Sequence, residues 1–178
     1  EAASEPKQKA AASLMQGRLD TRTGKTGEAL EAFATAAEML PSSAAVPFQR
    51  GLALAAVWRW QEAAVAFGEA LSLGPGAHLA RREMAVALLS SLQVRPALEQ
   101  ALRGLAERPR DPALLRVQAL ALQELGTPSE EAHDAWLAHR PDDDATALRT
   151  RCRQQDPLCA LESDPDHIHR LFAAEESP

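Results

Sequence analysis

The sequence predicts an all-α protein built from stacked helix-turn-helix pairs, and three observations carry that prediction. First, the set Glu28-Ala29, Phe33, Ala36 and Pro41 recurs as Glu62-Ala63, Phe67, Ala70 and Pro75, each residue 34 positions on. A fixed period of this length is the mark of a repeat architecture. Second, 46% of the 178 residues are hydrophobic but only 4% are aromatic, and there is no Tyr. Ala and Leu, the strongest helix formers, dominate instead. Third, Pro41, Pro75 and Pro109 follow the apolar stretches at the same period, where proline ends a helix because it cannot continue the hydrogen-bond ladder.

Taken in order, the pattern predicts helices at about 7–23 and 26–40, 44–57 and 60–73, 78–91 and 94–107, and 112–125 and 128–139. Small residues at Gly17, Gly51, Ala85 and Ala119 let the first helix of each pair approach its partner, and Ala29, Ala63 and Ala97 do so from the second. Phe33 and Phe67 fill the space beyond. The third copy carries Ala101 and Gly104 in the Phe and Ala slots. Gly24 and Gly126, three periods apart, punctuate the turn inside a pair. The fourth copy is degenerate: Ala132 and Trp136 fall one residue late and Pro141 arrives early, which shortens its second helix. Asp142, Asp143 and Asp144 can then cap a further helix to about Gln155, shielding the open apolar end of the stack.

Over residues 10–141 this pattern resembles the tetratricopeptide repeat, with its small residue in the first helix, A-x-x-x-F in the second and a closing proline. It departs from the family at Gln16 and Arg50, which precede the glycines where an apolar residue is usual. The resemblance implies a right-handed superhelical α-solenoid. Four repeats would span 10–43, 44–77, 78–111 and 112–141, after an N-terminal tail or helix start at 1–9. A capping helix and acidic tail would occupy 142–178.

The resemblance also implies a non-enzymatic binding scaffold whose first helices line a concave groove. The groove-facing slots are Leu14, Arg18 and Arg22, then Phe48, Leu52 and Ala55, then Leu79, Arg82, Val86 and Leu89, and finally Arg116, Leu120 and Gln123. An apolar floor with arginines along it suits an amphipathic helix or extended peptide bearing acidic groups, through side-chain burial and bidentate Arg–carboxylate contacts. A second reading stands beside it, in which Phe48 and the leucines pack against neighbouring repeats and the arginines are solvated. The lysine-and-asparagine clamp by which chaperone-docking members hold a terminal carboxylate is absent, since the chain has no Asn and no Lys after Lys25.

The stretch "GRLDTRTGKTGEAL" contains Gly24-Lys25-Thr26, the letters that close a P-loop. A phosphate cradle requires G-x-x-x-x-G-K-[ST] leaving a buried strand. Here the position five before Gly24 is Leu19, the nearest glycine is Gly17, and the preceding segment is Ala-rich rather than strand-like. The P-loop reading fails on both spacing and context. The formal charge is -6, with nine acids and four arginines in 141–178. No basic nucleic-acid footprint exists, and no apolar run reaches the roughly 18 residues a membrane span needs. Residue 1 is Glu, so a processed or excised chain is expected, with any export signal already removed.

Cys152, Cys159, His167 and His169 are spaced C-x6-C-x7-H-x-H, which matches no familiar zinc finger. The Asp156-Pro157 break lets the chain turn back and join the two cysteines as a disulfide, with free thiols the alternative. No haem or other cofactor motif is present. Two cysteines concentrated here favour an extracytoplasmic or periplasmic location over a cytoplasmic one, and the excess of Arg over Lys in an Ala-rich chain points to a bacterial source. Trp60 fits a slot between stacked repeats and Trp58 an exposed one. His78, His133 and His139 are placed in loops or helix ends without a catalytic constellation. The sequence thus reads as an adaptor or subunit of a bacterial assembly, such as envelope machinery. The competing class is a regulatory or docking domain cut from a larger enzyme, and a third is a small-ligand-binding solenoid. The sequence sets neither partner identity nor oligomeric state.

Overall fold

The computed structural model describes residues 4–74 and 78–139. Among these are eight helices and no strand: α1 (Ser4–Arg22), α2 (Thr26–Met39), α3 (Ala45–Ala56), α4 (Trp60–Leu73), α5 (His78–Ser90), α6 (Val94–Glu107), α7 (Pro112–Glu124) and α8 (Glu130–Ala138). Pro75, Pro141, the expected capping helix, both cysteines, His167 and His169 lie outside the described residues. Residues up to Trp136 form one compact unit, and a second begins at Leu137. Helix α1 starts at Ser4, so residues 4–9 belong to a helix rather than to a tail.

Within the first unit α1 packs on α2, α3 on α4 and α5 on α6, and each second helix packs on the first helix of the next pair. The chain turns inside each pair by the same device. Lys25, Arg59, Gln93 and Thr127, spaced 34 apart, donate backbone N–H bonds of 2.8–3.0 Å to the carbonyls of Asp20, Leu54, Leu88 and Leu122. The preceding residue in each case has a left-handed backbone: Gly24 (φ 77°), Trp58 (φ 65°), Leu92 (φ 61°) and Gly126 (φ 71°). This is the Schellman ending, in which a left-handed residue after the helix lets the next N–H reach back to an orphan carbonyl. The sequence signalled it only where glycine occupies the slot.

Alanine forms most of the core: Ala29, Ala36, Ala53, Ala63, Ala66, Ala70, Ala85, Ala97 and Ala101 are fully buried. Phe33 and Phe67 do not lie beyond the close-packed glycines but directly on them, since a Cβ on Gly17 or Gly51 would meet the ring at 2.5 Å. In the third pair both partners change together, Ala85 taking the glycine slot and Ala101 the phenylalanine slot. Removing the ring leaves room for the methyl group. Gly104 has a different neighbour, Leu114 of the following pair, whose Cδ1 would stand 2.5 Å from a Cβ there. In α8 it is Ala132 that is buried, one residue late against the period.

The departures at Gln16 and Arg50 have local explanations. Gln16 Nε2 donates to both carboxylate oxygens of Asp20 at 3.1 and 3.0 Å. Asp20 is the buried charged side chain of the described core, 4% exposed, in the slot that holds Leu54, Leu88 and Leu122 in later repeats. Arg50 reaches across to Glu69 of α4 at 2.5 Å, and Arg81 reaches from α5 to Gln100 and Glu107 of α6 at 3.2 and 3.6 Å.

Candidate functional site

The first helices α1, α3, α5 and α7 carry the residues of interest on one face. Residues four apart on a helix share a side, which aligns Leu14, Arg18 and Arg22 on α1, and Phe48, Leu52 and Ala55 on α3 at a four-then-three spacing. On α5 the sequence Leu79, Arg82, Val86 and Leu89 does the same, as do Arg116, Leu120 and Gln123 on α7. None of these thirteen side chains is buried. On α3, α5 and α7 the opposite side carries buried residues, including Val46, Ala80 and Leu114.

Their surroundings divide them into two kinds. Leu14, Phe48, Leu52, Ala55, Val86 and Leu89 are half-buried and lean on the core while keeping a solvent-facing side. Phe48 sits tilted against Phe67, centroids 5.7 Å apart. Packing against neighbours and exposure to a partner therefore coexist in the same side chains. Leu79 is more open, at 42% exposure. The arginines are not equivalent. Arg82 is half-buried and donates from Nε and Nη2 to Glu83 at 3.0 and 2.7 Å, which leaves it little charge to offer. Arg18 is exposed, and its Nη1 donates to the Met15 sulfur at 3.6 Å. Arg22 and Arg116 are exposed; Arg22 ends α1, where a cation also complements the helix dipole.

The remaining singled-out groups lie elsewhere. Lys25, the would-be phosphate ligand, is exposed and paired with Glu28 at 3.0 Å, a hydrogen bond that raises its pKa. Trp60 is half-buried against the core cluster, whereas Trp58 is 78% exposed, its ring edge-on to Trp60 at 6.0 Å. His78 opens α5. His133 is inside α8 rather than at its end, and its ring stands edge-on to Trp136 at 5.5 Å. Among the described residues no group of His, Cys, Asp and Glu could hold a metal ion. No described helix is long and apolar enough to cross a membrane.

No family model and no curated protein matches the sequence. Solved structures match at the level of fold. YrrB, described as a tetratricopeptide protein with an unusual peptide-binding site, is 20% identical over 98% of this chain and 96% of its own, with a TM-score of 0.70. MamA is 18% identical over 78% of this chain and 80% of its own, with a TM-score of 0.66. The second tetratricopeptide domain of human RPAP3, solved with the HSP70 peptide SGPTIEEVD, is 17% identical over 65% of this chain and 97% of its own, with a TM-score of 0.61. The chain has the tetratricopeptide-repeat fold.

Proposed function

We propose that this tetratricopeptide-repeat chain is a non-enzymatic scaffold that holds a peptide or amphipathic helix bearing acidic groups along its first-helix face. The observation that carries the reading is the exposure pattern. All thirteen slots keep solvent-accessible surface, and six of them are apolar side chains seated on the core. Such side chains offer apolar area that is already ordered, so a ligand buries it at little entropic cost. Arg18, Arg22 and Arg116 supply the charge, each a guanidinium suited to bidentate contact with a carboxylate. With no lysine beyond Lys25 and no asparagine, recognition rests on side-chain carboxylates meeting arginine rather than on a terminal-carboxylate clamp. The peptide complex of RPAP3 and the peptide-binding site of YrrB lend the reading general support. The Arg-rich, Ala-rich composition, with the two cysteines at Cys152 and Cys159, makes a subunit of a bacterial, extracytoplasmic assembly the setting that fits it.

The test is affinity capture with the intact chain beside an Arg18→Glu/Arg116→Glu double variant, each checked for unchanged helicity by circular dichroism. The expected result is a partner retained by the intact chain and lost by the variant, with retention weakening as salt rises. A partner held equally by both would remove the first-helix face from the function.

A further inference from the structure

The free charge of the first-helix face is confined to its two ends. On the inner helices α3 and α5, Arg50, Arg81 and Arg82 are ion-paired with Glu69, Glu107 and Glu83. The outer helices differ. Arg18 and Arg22 on α1 and Arg116 on α7 are exposed, and among the described residues no carboxylate pairs with them. These four helices carry no further arginine. Lys7, about two turns before Leu14 and so on the same side of α1, is also exposed. The acids of the outer helices do not cancel this charge: Asp20 is buried beside Gln16, and Glu124 stands at the far end of α7, about two turns beyond Arg116.

Between those ends the slots are apolar. Phe48, Leu52 and Ala55 on α3 and Leu79, Val86 and Leu89 on α5 have no side-chain donor or acceptor, and Arg82 is bound to Glu83. An extended chain pressed onto that floor turns backbone N–H and C=O groups toward side chains that cannot pair with them, which is costly. A helix brings none, because its backbone groups are already bonded to one another. The spacing sets its length. Helix α1 lies against α3 and α5 against α7, and at about 8–10 Å between neighbouring axes the three steps from α1 to α7 cover about 30 Å. At about 1.5 Å per residue, a helix of about twenty residues reaches from one charged end to the other.

Resting on the peptide-binding reading above, we propose that the occupant is an amphipathic helix of a partner protein, about twenty residues long, with an apolar stripe and with its acidic residues in the first and last turns. One acidic end seats on Arg18 and Arg22 and the other on Arg116, as charge-assisted contacts to guanidinium groups that have no carboxylate of their own. Acids in the middle of such a helix lie out of reach of all three arginines.

The test is fluorescence anisotropy of two dye-labelled peptides of about twenty residues, titrated with the full chain. The two are isomers with one leucine stripe and helicity matched by circular dichroism; one carries paired glutamates at both ends, the other the same glutamates in its middle. The end-acid isomer should bind about fivefold tighter or more, and the ratio should shrink as salt rises. The Arg18→Glu/Arg116→Glu variant, of unchanged helicity, should lose the preference. Equal affinity for the isomers, each weakened by that variant, overturns the end-charge order while the broader acidic-ligand reading stands. Saturable binding of neither isomer also overturns it, and the capture experiment then decides the broader reading separately. An acid-ended peptide of about nine residues, which spans the same distance when extended, overturns the helical form if it binds as tightly.

Discussion

The ring of Phe67 lies against the backbone of Gly51 so closely that a Cβ on Gly51 would stand 2.5 Å from Cε1 and 2.7 Å from Cδ1. Phe67 is 1% exposed and hemmed in by Phe48 at 5.7 Å, so the ring has nowhere to swing. Gly51→Ala should therefore overpack the α3–α4 pair and destabilise by on the order of 1–3 kcal/mol, despite alanine's better helix propensity. Gly68→Ala is the matching control, since its Cβ meets only the Met84 side chain, at an ordinary 3.7 Å or more. There the propensity gain acts alone and should add about 0.5–1 kcal/mol. Urea denaturation of the two variants checks the sign of each. Two losses or two gains would mean that the Gly51–Phe67 contact does not set the register.

Leu92 and Gly126 occupy one slot with one backbone conformation, φ 61° and 71°, but only one of them is a glycine. Relieving a left-handed residue of its Cβ is worth about 1–2 kcal/mol, and the extra freedom glycine brings to the unfolded chain takes back about 0.5–1. Leu92→Gly should thus stabilise modestly, while Gly126→Ala, with open space around it but the wrong hand of backbone, should destabilise by about 1 kcal/mol. Thermal melts of the two variants should move in opposite directions.

The contrast between these slots also explains what the sequence disclosed. The helix pattern was legible because small residues, Phe33 and Phe67 and the closing prolines all recur at one period, and the start of α4, α5, α6 and α7 falls where that period places it. The same register lines up the thirteen first-helix slots along one side of their helices. The Trp58 and Leu92 turns were not legible, because a left-handed residue other than glycine leaves no mark in composition; only adding 34 to Gly24 twice would have found them. Asp20 was hidden for a different reason. A carboxylate in an apolar slot looks like a surface residue until the Gln16 amide is seen to satisfy it.

Asp111 adds a local capping signal to a helix start that the period also places. Its Oδ1 accepts from the backbone N–H groups of Ala113 and Leu114 at 3.0 and 3.2 Å, with Pro112 in the first helical position. The N-caps of α2, α4 and α6 have no such side-chain bond. Asp111→Ala should cost about 1 kcal/mol, and it should loosen the seat of Leu114 on Gly104. Asp111→Ser should restore most of the loss. Equal melting temperatures for the Ala variant and the parent would show that α7 is held by packing alone.

Asp20 and Gln16 should prove to be a coupled pair whose removal depends on which member goes. Gln16→Ala strips a 4% exposed carboxylate of its amide donor, and an unsatisfied buried acceptor costs about 1–3 kcal/mol. Asp20→Leu instead supplies the residue that Leu54, Leu88 and Leu122 represent in the later repeats. With no carboxylate left to satisfy, Gln16 can turn to solvent, and the single Asp20→Leu variant should match or exceed the parent in stability. Adding Gln16→Ala to it should then cost nothing further, giving a coupling energy of the same size as the Gln16→Ala loss. Denaturation of the four members of this cycle decides the matter. Losses that simply add would mean that the two side chains act separately and that Asp20 is satisfied by water.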